Sequence, residues 1–119
     1  MVVILNDDLL VIKKTKELIN DLDVVCNNVP NKIYYNVIYI MDYGNSILEN
    51  TVLCNYNTSK DIRINLYYII MTKLDMFNYI LDIYYNKKYI SSKVLYKKNL
   101  LIIEIKKLLY GWIYGSKDR

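Results

Sequence analysis

Apolar residues recur at Leu9, Ile12, Ile19, Leu22 and Cys26, while Lys13, Lys14, Lys16 and Glu17 fill much of the other side. Such spacing is that of an amphipathic helix. Asn6-Asp7-Asp8 can cap it and puts acid at its positive end, which predicts a helix from about Asp7 to Val25. Upstream, Val2–Leu5 is long enough only for a short strand. Asn27-Asn28-Val29-Pro30 breaks the pattern, because proline opens helices and disfavours a helical residue before it. A second helix is expected from about Asn31 to Tyr43, with Ile33, Val37, Ile40 and Met41 inward and Gly44 as its left-handed cap. Ser46 and Glu49 have capping-box spacing and predict a short helix near Ile47–Cys54. Asn55–Ser59 reads as a loop.

The most regular stretch follows. Ile62, Leu66, Ile69, Ile70, Leu74, Phe77, Leu81 and Tyr84 recur mostly at intervals of three and four, opposite Asp61, Asn65, Thr72, Asp75, Asp82 and Asn86. One long helix or a bent pair fits. After Asn86-Lys87-Lys88, Ser91 or Ser92 can cap a final helix reaching about Tyr114. Its Leu100–Ile113 segment is apolar on nearly all sides, the mark of a central helix packed by several neighbours. The expected fold is a single all-α domain over residues 1–119, a compact bundle of four to six helices around an apolar C-terminal helix.

Composition supports one folded unit. Of 119 residues, 54% are hydrophobic and 24% charged, enough apolar surface for one core. Ala, Gln and His are absent, while Ile, Leu, Asn, Tyr and Lys abound. The favoured residues have AT-rich codons, so much of this skew, including the 14 tyrosines, reflects the genome. The net charge of +4 is unevenly spread, with residues 1–85 carrying −3 and residues 86–119 carrying +7. The start of the chain does not resemble an export signal, so a reducing, cytoplasmic setting is expected, with Cys26 and Cys54 as buried thiols. In that setting the Asn57-Thr58-Ser59 sequon goes unused. No transmembrane segment is expected, since Leu100–Ile113 is too short and holds Glu104, Lys106 and Lys107.

Candidate chemistry is sparse. Without histidine, imidazole-based triads and general bases are excluded. Two cysteines 28 positions apart make a poor zinc site, and three isolated glycines cannot cradle a phosphate. Asp75 and Asp82 stand two helical turns apart, about 10 Å along the axis, too far to share a proton. No enzyme, metal or cofactor is predicted.

Interaction surfaces remain. Tyr68 lies between Asn65 and Thr72, and Tyr79 between Asp75 and Asp82, so both should emerge from a polar helix face; aromatics so placed are enriched at protein contacts. Trp112, the sole tryptophan, is expected to be a core or interface anchor. The alternative is nucleic acid. Lys87, Lys88, Lys93, Lys97 and Lys98 are interleaved with Tyr89 and Tyr96, and lysines neutralise phosphates while tyrosines stack on bases. That segment has no arginine for bidentate recognition. Tyr68-Ile69-Ile70-Met71 matches the YxxM pattern of phosphotyrosine recognition, but Ile69 and Ile70 are wanted in the core.

An all-helical chain of this length, rich in Asn, Ile, Lys and Tyr, resembles the small intracellular proteins of poxviruses and other AT-rich large DNA viruses. Trp112-Ile113-Tyr114-Gly115 is similar to the aromatic-Tyr-Gly end of the Bcl-2 homology 2 region. The Asn-Trp-Gly-Arg signature of the homology 1 region has no counterpart, and Asp75-Met76-Phe77-Asn78-Tyr79 does not replace it. The resemblance implies helices packed around a hydrophobic central one. It also implies a non-enzymatic module in the host cytoplasm that modulates innate signalling or apoptosis by burying an apolar face against a host protein, a peptide helix or a second copy of itself.

Overall fold

A computed structural model describes residues 10–20, 34–56 and 59–114. They form four helices and no strand: α1 (Leu10–Asn20), α2 (Tyr34–Tyr56), α3 (Lys60–Asn86) and α4 (Ser92–Tyr114). Each helix packs chiefly on two others, α1 on α2 and α4, and α3 on α2 and α4, so the four close a ring. The molecule is a rod of 47 × 23 × 22 Å. The all-helical expectation holds. The strand at Val2–Leu5, the Asp7-Asp8 cap, the break at Pro30 and Cys26 lie outside the described residues.

The longest helix, α3, shows how local sequence sets its limits. Ser59 is extended (φ −72°, ψ 123°), and its hydroxyl accepts from the Ile62 N–H at 3.5 Å, so it caps the start. Asp61 adds acid to the first turn. At the far end Lys88 stands at φ 65°, the left-handed conformation that side chains other than glycine and asparagine rarely adopt. Its N–H donates to the Tyr85 carbonyl at 2.9 Å, and the Tyr89 N–H donates to the Tyr84 carbonyl at 2.8 Å. These are the paired bonds of a Schellman motif. The Tyr84 and Tyr89 rings meet edge-on at 6.1 Å, supplying the apolar contact that accompanies it. Ser91 then caps α4, accepting from the Val94 N–H at 3.2 Å.

This tight connection turns the chain back on itself. Antiparallel packing of α3 and α4 follows in the contacts, with Tyr67 against Tyr114 near one end and Asp75 paired to Lys106 further along. Between α2 and α3 the same holds. The Cys54 thiol meets the Arg63 carbonyl at 3.9 Å, and Lys73 lies 5.1 Å over the Tyr43 ring. On α3 the core stripe is Ile70, Leu74, Phe77, Leu81 and Tyr84, all fully buried. Ile12 and Leu18 of α1, Ile40 and Ile47 of α2, and Ile105 and Leu109 of α4 complete the centre.

Three expectations are corrected. No break occurs at Gly44, because α2 runs unbroken for 23 residues. Gly44 is buried on the same side as Ile40, Ile47, Thr51 and Cys54, and the spacing of Ser46 and Glu49 is not used to start a helix. A glycine inside a helix costs about 1 kcal/mol, which the burial of this stripe offsets. Second, Met41, Ile62 and Ile69 are exposed. At about 100° per residue, Ile62 and Ile69 fall well to one side of the line through Ile70, Phe77 and Leu81, and Arg63 is buried on that line instead. Third, α4 is not central. Leu101, Ile102, Ile105 and Leu109 face the core, but Leu100, Ile103 and Tyr110 are exposed, so α4 is one wall of a ring.

Lys88→Gly should raise unfolding stability by about 0.5–1 kcal/mol, since glycine takes the left-handed conformation without strain but has more freedom when unfolded. Lys88→Val should lower it. Urea unfolding at constant slope measures both; equal stability of all three would contradict the role assigned to this turn.

Candidate protein-interaction surface

With its core stripe facing inward, α3 points a second set of residues outward. Tyr68 and Tyr79 are eleven positions apart, about three helical turns, and therefore share that side. They are 61% and 60% exposed. On α4 the outward series is Tyr96, Leu100, Ile103, Lys107 and Tyr110, spaced four, three, four and three. Tyr96 is 66% exposed and Tyr110 58%, with Leu100 and Ile103 close to half exposed. The outer sides of two antiparallel helices thus make one face of tyrosine and aliphatic side chains.

One end of this face is an organised aromatic cluster. The Tyr67 ring meets Tyr68 at 5.5 Å, Tyr110 at 6.5 Å and Tyr114 at 5.4 Å, all edge-on, while Tyr110 and Tyr114 stack at 5.0 Å. Such pairs contribute about 0.5–1.5 kcal/mol beyond their burial. A hydrogen bond with Tyr68 holds the Tyr114 phenol above its ordinary pKa, assisted by partial desolvation and the neighbouring Tyr67 and Tyr110. Beside the cluster, Tyr68, Ile69, Thr72 and Lys73 line an open, mostly apolar depression of about 340 Å³. Further along, the Lys106 ammonium pairs with the Asp75 carboxylate across the α3–α4 seam. Exposed pairs of this kind contribute little stability, roughly 0.2–1 kcal/mol, but this one fixes which levels of the two helices face each other.

Trp112 is not part of this face. It is half-buried against the core, two residues and so about 200° around α4 from Tyr110. The sequence pattern had also hidden Leu100, Ile103 and Tyr110, because Leu100–Ile113 reads as apolar all round, while Tyr96 stood out only as part of the lysine segment. The available signal was Lys107, which falls in line with them and marks that side as wet.

The lysine segment is not one surface either. Lys87, Lys88, Lys93 and Lys97 are exposed, but Lys98 is only 4% exposed, on the core side of α4. It therefore offers a phosphate almost no surface. Glu17 and Glu104 line the same small depression as Lys97 and Lys98, and Glu104 also pairs with Lys14 at 3.5 Å. An anion entering there would meet two carboxylates. Lys88 and Tyr89 line an open depression of about 540 Å³ at the α3–α4 turn, with Tyr85, Ser91 and Ser92. The YxxM pattern is folded away, since Ile70 is fully buried and Met71 half-buried.

The groups with chemical potential are dispersed. Asp75 is occupied by Lys106, and Asp82 stands exposed two turns on. No three metal-binding side chains gather among the described residues. No helix among them is long and apolar enough to cross a membrane. Cys54 is a buried free thiol whose pKa burial raises from 9.0 to about 11, against the opposing pull of the Arg63 charge. No protein-family model, curated protein or solved structure matches the chain.

In a Cys26→Ser background, folded Cys54 should react with iodoacetamide near pH 8 about 100-fold more slowly than in the urea-unfolded chain, the thiolate deficit of a two-unit shift. The folded state keeps a proton that the unfolded chain releases above pH 9, so this thiol's effect on stability turns unfavourable as pH rises from about 9 toward 11. Equal labelling rates would show that Cys54 is accessible.

Proposed function

We propose that this protein is a non-enzymatic protein-interaction module that binds through the outer face of α3 and α4. The observation that carries the reading is the four tyrosines, Tyr68, Tyr79, Tyr96 and Tyr110, each close to two-thirds exposed on the outward sides of the adjoining helices α3 and α4, with half-exposed Leu100 and Ile103 in the α4 series. A chain that buries Phe77 and Tyr84 completely has the means to bury aromatics. Tyrosine combines apolar area with a polar tip and loses little side-chain freedom when held, which suits it to contact surfaces. An ordinary solvated helix face would carry Lys, Glu and Asn at these positions.

A role in modulating host innate signalling or apoptosis draws on the compositional resemblance to proteins of AT-rich large DNA viruses. The Bcl-2-like form of that idea gains nothing from the ring of described helices, and the proposal does not depend on it. Nucleic-acid binding is the weaker reading, since Lys98 is buried and Lys97 shares its surroundings with two carboxylates.

The test is affinity capture from cells expressing the tagged chain, comparing wild type with a Tyr68→Ser, Tyr79→Ser, Tyr110→Ser variant that retains its helical circular dichroism. Proteins bound by wild type should be reduced at least tenfold with the variant, as loss of hot-spot aromatics at about 2 kcal/mol or more requires. Identical capture by both would remove this face from consideration.

A further inference from the structure

We propose that the occupant of the outer α3–α4 face is a second copy of this chain, related by a two-fold axis running along the helices, so that α3 of each copy packs on α4 of the other. The proposal rests on the reading of this face as a protein-binding surface and adds which protein binds.

Charge carries the argument. The exposed charged residues of α3 are Asp61, Asp75 and Asp82, all acidic, with Asp75 already paired to Lys106 of α4. Those of α4 are Lys93 and Lys107, with Lys97 beside Glu17 and Glu104 on the side toward α1, where Glu104 is engaged by Lys14. The face therefore has an acidic half and a basic half with tyrosine and aliphatic residues on both. A partner must offer the reverse arrangement, and the chain's own face, turned about an axis parallel to the helices, does so. An axis across the helices would instead set α3 on α3, acid against acid, which opposes association.

The levels also agree. A two-fold axis along the helices leaves height along the rod unchanged. Within one copy Asp75 is level with Lys106 and Tyr67 with Tyr114. In the pair, Asp75 therefore comes close to the level of Lys107 of the facing copy. By equal rise on both helices, Tyr79 comes close to the level of Ile103. Area is sufficient. One long side of a rod 47 Å by 23 Å exceeds the roughly 800 Å² per partner of a standard interface.

Sedimentation of the purified full chain, followed against concentration, tests the proposal. The expected species at micromolar concentration has twice the 14.2 kDa chain mass. Lys107→Glu, an exposed change that should leave the helical signal and melting of the monomer intact, is expected to weaken association at least tenfold. In a background with Cys26 and Cys54 replaced by Ser, oxidising a mixture of Tyr79→Cys and Ile103→Cys chains should give chiefly mixed cross-links. A chain that stays monomeric to about 100 μM overturns the second-copy assignment, because interfaces of this area hold at micromolar concentration or below. If that monomer still captures cellular proteins through the three tyrosines, the binding face stands and only its occupant was wrong. A dimer indifferent to Lys107→Glu, or one in which Tyr79→Cys chains cross-link only to one another, overturns the proposed arrangement.

Discussion

Everything in this molecule is arranged around the buried side of α3. Ile70, Leu74, Phe77, Leu81 and Tyr84 form a continuous apolar stripe over four turns of a 27-residue helix, and all five are fully buried. At about 25 cal/mol per Å² of apolar surface, burying such a stripe is a large contiguous driving force for folding. It holds α2 on one flank and α4 on the other, and α1 closes the ring between them. The consequence for function is geometric. A helix that commits one side to the ring leaves the opposite side without a neighbouring helix among the described residues, and on both α3 and α4 that side carries tyrosine.

Two local devices make the arrangement possible. The Schellman turn at Lys88 and the Ser91 cap reverse the chain within five residues, which forces α3 and α4 to lie antiparallel. The ion pair between Asp75 and Lys106, and the Tyr67–Tyr114 contact, then set their relative height. Because these contacts fix the register, exposed side chains on two separate helices come together as one face. Neither helix alone would present it.

Much of the fold was legible in the sequence. The period-3.6 pattern located α3 and α4 closely, and Ser91 was readable as a cap. What failed was the resolution of neighbouring apolar residues. Ile69 and Ile70 are equally hydrophobic, yet about 100° of rotation makes one exposed and the other buried. The same ambiguity made α4 look central when it is a wall. Gly44 misled because a glycine is a strong stop signal only where the helix has a reason to end; here the buried series from Ile40 to Cys54 carries the helix through. Of the candidate site, Tyr68 and Tyr79 were legible because polar residues flank them. Tyr110 was not, since it sits in a segment rich in Ile and Leu, and Tyr96 was read with the lysines around it as a base-stacking residue instead. Lys98 shows the converse, because a lysine in a basic run gives no sign that its side of the helix faces the core.

The central claim is that the outer α3–α4 face is surplus to the fold and free for binding. Its most direct test is equilibrium urea unfolding of a Tyr79→Gln, Tyr96→Gln variant, at protein concentrations low enough to keep the chain monomeric. These two tyrosines lie outside the cluster around Tyr67 and touch no buried ring in the contacts described. The account predicts a change within about 0.5 kcal/mol per substitution, the ordinary range for exposed positions. A loss of several kcal/mol, the scale of emptying a core position, would mean that these tyrosines hold the bundle together and would contradict it.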